Sequence, residues 1–203
     1  MHIKSRITKI LIAAFATIML LNFIAACDDF KSQEFQIEGV DAAACNQLSD
    51  TLFSTLTLKR LSTFRPGWNN ENALDSVTAI LDSLEANGIM LNVDGSGAVE
   101  IATTASDTGW FALRSDFSTI AVYMTETAVM NLISPSGTLQ KTSDKTMPFE
   151  IAGGCTVLEN DKPVPLIRER FKYSITEDRY LVQLIKGEQT RSNRIKVSAL
   201  RNQ

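Results

Sequence analysis

The chain has 203 residues and a mass of 22.4 kDa, with 44% hydrophobic and 21% charged residues, the composition of a globular protein that can close one core without a structural metal. Its net charge of −3 and pI near 5.3 exclude the basic stripe that displaces counterions from nucleic acid, so no nucleic-acid partner is expected.

Residues 1–9 carry Lys4, Arg6 and Lys9 and no acidic residue, and the apolar run ILIAAFATIMLL follows from Ile10 to Leu21. This is the order of a charged n-region and an apolar h-region. Next come Asn22, Phe23 and then Ile24-Ala25-Ala26-Cys27: a branched aliphatic residue and two small residues ahead of a cysteine. The segment resembles the lipobox signal peptide of bacterial lipoproteins, in residues 1–27 alone. The resemblance implies that Cys27 takes a diacylglycerol on its sulfur, that the chain is cut before it, and that its new amino group is often acylated. The competing reading is an uncleaved anchor. A helical span needs about 17–25 apolar residues, and this stretch sits at the short limit and contains Asn22. In both readings the positive end stays in the cytoplasm and everything after Cys27 lies outside. Two or three acyl chains hold a membrane far more firmly than one, so the anchor is expected to be permanent. Asp28 and Asp29 resemble the inner-membrane retention signal of enterobacterial lipoproteins and equally read as two solvated carboxylates, which leaves inner against outer membrane open.

Removal of residues 1–26 takes three of the 20 basic residues, leaving 17 against 23 acidic ones, a net charge of about −6. Such a surface argues against electrostatic adhesion to anionic headgroups, so the acyl chains on Cys27 are expected to be the membrane contact. Cys45 and Cys155 then remain as an even pair in an oxidising compartment and read as a structural disulfide, with a redox pair as the alternative. The sole histidine, His2, leaves with the leader. A chain without imidazole holds no Ser-His-Asp or Cys-His nucleophile and no histidine zinc site, and two thiols cannot make a four-cysteine site. No metal or cofactor is expected.

Residues 27–40 read as a lipidated tether, with Phe35 and Ile37 in alternation leading into a first strand. Residues 44–61 read as helix turning to strand, because Leu48, Leu52 and Leu56 follow a helical spacing while Leu56 and Leu58 alternate among threonines. The clearest helix is 72–86, with Leu74, Val77, Leu81 and Leu84 on one face, Asn72 as its cap and Asn87-Gly88 as its end. From residue 89 the period becomes two. The runs 89–93 and 98–104 flank Asp94-Gly95-Ser96-Gly97 and predict a hairpin. Further strands are expected at 109–115, 118–125, 128–134, 148–153, 170–175, 179–185 and 194–200. About nine strands with one docked helix give a mainly β class: an antiparallel β-sandwich or barrel filling residues 41–203 as a single extracytoplasmic domain.

Asn92-x-Asp94-x-Ser96-Gly97 resembles half of an EF-hand loop, but Thr103 stands where the bidentate carboxylate is needed, so a glycine turn is the better reading. Trp110 lies in an alternating strand and is expected in the core. Trp68, between Pro66-Gly67 and Asn69-Asn70, is expected to be exposed and is the one candidate ligand contact. No carboxylates pair in sequence, and Ser143-Asp144-Lys145 reads as a solvated loop rather than a Ser-Lys dyad. The functional expectation is a non-catalytic envelope domain that binds an envelope protein or glycan. The alternatives are a small carboxylate-dependent glycan hydrolase and a structural part of an envelope assembly. These differ in a pair of carboxyl groups in a cleft and in an unpaired sheet edge or apolar patch.

Overall fold

The computed structural model describes residues 39–202 apart from 59, 96, 104–107, 143, 147–153, 189 and 191. By contacts the chain divides into Met1–Phe35 and Gln36–Gln203, and every described residue belongs to the second unit. The leader, Cys27, most of the tether and the strand expected at 148–153 therefore lie outside the described residues.

The fold is mainly β, a sandwich of two mixed sheets with few helices and no closed barrel. Helix α1 (Gly39–Ser49) comes first, followed by β1 (Ser54–Leu58) and a single-turn helix α2 (Leu61–Phe64). A 3-10 turn (Leu74–Ser76) leads into α3 (Val77–Ala86), and then β2 (Met90–Asn92), β3 (Val99–Thr103), β4 (Thr108–Arg114), β5 (Thr119–Met124) and β6 (Ala128–Ile133). The remaining strands are β7 (Leu139–Gln140), β8 (Asp144–Thr146), β9 (Thr156–Glu159), β10 (Lys162–Pro165), β11 (Glu169–Ser174), β12 (Arg179–Lys186) and β13 (Arg194–Arg201). One sheet runs β1-β3-β13-β5-β11-β8, the other β2-β4-β12-β6-β7, and β9 and β10 form a separate hairpin.

Expected strands 109–115, 118–125, 128–134, 170–175, 179–185 and 194–200 are present as β4, β5, β6, β11, β12 and β13. Several expectations need correction. The runs around Asp94 do not pair as a hairpin: β2 joins β4 in one sheet and β3 joins β1 and β13 in the other, both edge pairings (β2 with β4, β1 with β3) being parallel. The turn crosses between sheets instead, held where the Asp94 amide donates to the Ala199 carbonyl and its carboxylate accepts from the Arg201 amide at 2.8 Å. Asp144 and Lys145 belong to β8, paired with β11, rather than to a loop. Helix α3 starts at Val77, because Asn72 uses its side chain on the preceding loop, accepting from the Asn69 amide at 2.8 Å.

The inner faces make one core, with Phe111, Leu113, Val122, Phe171, Tyr180 and Val182 all buried. Each buried side chain of this size contributes about 1.5–3 kcal/mol. The sheets meet so closely that a Cβ on Gly109 would stand 2.8 Å from the Leu58 Cβ. The outer faces are covered as well. Val77, Ile80, Leu81 and Leu84 of α3 are buried against β4 and β12, whereas Leu74, expected on that stripe, is half exposed. Helix α1 covers the other sheet, so the described residues hold two docked helices of ten or more residues rather than one. Double coverage explains why β5 is buried at five consecutive positions, a pattern open antiparallel sheets lack.

Candidate functional site

The most elaborate polar arrangement among the described residues lies where α1 crosses the six-stranded sheet. Cross-strand register puts Tyr123, Arg170 and Ser198 on the same outward face, since Tyr123 is opposite both Arg170 and Ser198. Ala44 and Leu48 of α1 pack on Ala121, Tyr123 and Leu200 of that face. Around this small apolar patch the polar groups are paired. Asp41, in the first turn of α1, accepts from the Tyr123 hydroxyl at 2.6 Å and from Arg170 Nη1 at 2.7 and 2.8 Å. A carboxylate there also complements the positive end of the helix dipole. Ser198 Oγ and Gln47 Oε1 are 2.6 Å apart. At the other end Lys196 Nζ donates to the carbonyls of Leu48 and Asp50 at 3.3 and 2.9 Å and lies 4.3 Å from the Phe53 ring centre. A cation at the C-terminal carbonyls completes the complement to the dipole.

Cys45 and Cys155 form the expected disulfide, with their Cα atoms 5.8 Å apart across 110 residues. It joins α1 to the base of the β9–β10 hairpin, where the Leu166 amide donates to the Cys155 carbonyl. The Tyr123 hydroxyl is held far above its ordinary pKa, first by burial and then by the Asp41 carboxylate it donates to. Sequence reasoning missed this seam, and the signal was an arginine and a tyrosine inside otherwise apolar strands.

Beside the N-terminal end of α1 lies an open groove of about 660 Å³, lined by Val40, Ala43, Asp94, Lys172, Arg201 and Asn202 among others. Two further grooves, of about 490 and 580 Å³, lie between the β1 and β2 edges and along residues 185–193. Each of the three is lined by at most one carboxylate. Asp82 and Glu85 do meet in space, but outside the three grooves, where both accept from Arg179 Nη1 at 2.8 and 3.2 Å. That guanidinium is held above its ordinary pKa, chiefly by Asp82. Two carboxylates that share one cation outside the grooves do not present the free pair of carboxyl groups that flanks a glycosidic bond. Among the described residues no three His, Cys, Asp or Glu side chains gather as a metal site.

Trp68 is not the exposed platform its neighbours suggested. It is 8% exposed and belongs to the main core, with the Arg65 guanidinium 5.3 Å from its ring centre. Pro66 and Gly67 turn the chain so that the indole points inward rather than out, Gly67 taking φ +87°. Trp110 is buried as expected, its Nε1 donating to Asn70 at 3.3 Å. Cys27 lies outside the described residues. No family model, curated protein or solved structure matches the chain.

Proposed function

We propose that the chain is a lipid-anchored envelope lipoprotein whose β-sandwich serves as a non-catalytic binding or interaction domain outside the cytoplasm. The reading starts from the lipobox ending at Cys27. It is supported by one structural observation: the first described element after that cysteine is α1, stapled to the domain by a disulfide, a bond that persists in oxidising compartments. Binding is favoured over hydrolysis because Asp82 and Glu85, carboxylates brought together among the described residues, are both occupied by Arg179 and line none of the three grooves.

Metabolic labelling with an alkyne fatty acid tests the anchor: the parent chain takes label and Cys27→Ser takes none. An unlabelled parent, or label that persists in Cys27→Ser, overturns it. Affinity capture of the acylated parent from its own envelope tests the domain, with a stably bound protein or glycan expected and glycan turnover contradicting it.

A further inference from the structure

The hairpin β9–β10 stands apart from both sheets, and among the described residues neither strand pairs with anything but the other. Its turn, Asn160-Asp161, has φ of 51° and 61°, the geometry of a two-residue type I′ turn. The register is therefore fixed: Glu159 faces Lys162, Leu158 faces Pro163, Val157 faces Val164 and Thr156 faces Pro165. Prolines have no N–H to give, so the bonds between the strands belong to Lys162 and Val164, and the backbone groups of residues 163 and 165 point outward. The outer edge of β10 thus carries no donor, a standard protection against strand addition. Strand β9 has no such protection. Its outward residues, Thr156 and Leu158, keep both N–H and C=O, and Leu158 is 75% exposed.

We propose that two copies of this chain pair antiparallel through β9, about a two-fold axis at Val157. In that register Thr156 faces Leu158 of the second copy and Leu158 faces its Thr156, so every outward N–H and C=O of the two residues is used in four bonds. A second copy is the occupant because the match is complete on both sides, residues 156–158 carry no charge to repel their twins, and symmetric pairing of one patch is the commonest route to a dimer. Leu158 and Pro163 share a face of the hairpin, so pairing also continues an apolar surface across the axis. Two four-residue strands bury far less than the roughly 1,200–2,000 Å² of a stable interface, so the dimer is transient and concentration-dependent. The disulfide at Cys155 fixes the base of the hairpin and the Arg168–Glu159 pair at 3.4 Å fastens its turn end, which reduces the ordering cost of pairing.

Site-specific photocrosslinking of the full chain in its own membranes tests this. With p-benzoylphenylalanine replacing Leu158, the expected product is a homodimer whose linked peptide maps to residues 154–158 of the second copy. Its yield should exceed by at least about tenfold that of the same probe at Leu139, another exposed leucine, and should fall by about the same factor in Thr156→Pro, which deletes two of the four bonds. An adduct to a different protein, an adduct that maps elsewhere on the second copy, or a yield equal to that at Leu139 overturns the proposal. Because the adduct is mapped by peptide mass, it decides the matter even if Thr156→Pro fails to fold. Release of the chain from membranes during fractionation would count against the lipid anchor alone, since pairing is decided by where the adduct maps.

Discussion

Asp41 joins three elements through one carboxylate: it starts α1, neutralises Arg170 of β11 and accepts from Tyr123 of β5. The Arg170 side chain is only 10% exposed and that of Asp41 26%, so removing the acid takes a carboxylate from a guanidinium with little water to replace it. Asp41→Ala is expected to cost about 2–4 kcal/mol in urea unfolding, toward the low side for a buried pair because Asp41 is partly solvated. Tyr123→Phe, which keeps the ion pair and the ring, should cost only about 1 kcal/mol. Equal losses from the two would contradict the division of roles. Tyr123 and Tyr173 also set the alkaline limit. Burial raises both hydroxyls above the ordinary 10.0, and Tyr173 donates to the Met130 carbonyl at 3.1 Å. As pH climbs the unfolded chain releases these protons first, so the stability they carry is whole below about pH 10 and lost above it. Tyrosinate absorbance from these two should rise together with the loss of circular dichroism. Titration near pH 10 with the fold intact would contradict it.

Among elements, the sharpest constraint is the contact between β1 and β4. Gly109→Ala would place a methyl against the Leu58 Cδ1 and 2.8 Å from its Cβ, and the expected overpacking is about 1–3 kcal/mol in thermal or urea unfolding, partly relieved in the double variant with Leu58→Ala, which removes Cδ1 and keeps Cβ. No relief in the double variant would show that the sheets do not meet there. Legibility followed the same local logic. The end of α3 was readable because Asn87-Gly88 makes it: the Gly88 amide donates to Glu85 and the Ile89 amide to Leu84, with Gly88 at φ +67°, the Schellman pattern. Its start was not, since Asn72 bonds back to Asn69 and the Gly67 carbonyl and local sequence cannot say which of two nearby uses an asparagine side chain takes. Strand identity was readable from alternation, as in Tyr180, Val182 and Leu184. Partners were not, because Asp94–Gly97 carries the chemistry of a hairpin turn while β4 takes one flank and β13 with β1 the other. The seam at Asp41 combines residues 41, 123 and 170, a long-range meeting that no spacing rule encodes.

At the scale of the molecule, the disulfide closes a loop of 110 residues, enough for about 4–5 kcal/mol in the chain-entropy account. Cys45→Ser with Cys155→Ser should lower stability by about 2–5 kcal/mol while leaving the strand content unchanged, read by urea unfolding and far-ultraviolet circular dichroism. A variant as stable as the parent would mean that α1 is held by the Asp41 seam alone. Both fastenings bear on α1, the first described element after Cys27, and that placement gives the proposed anchor its physical sense. The most direct measurement is the intact mass of the chain recovered from its native envelope, parent beside Cys27→Ser. The expected parent begins at Cys27 and carries a diacylglycerol, and the expected variant keeps residues 1–26 and carries no lipid. Identical, unclipped and lipid-free chains in both would contradict it.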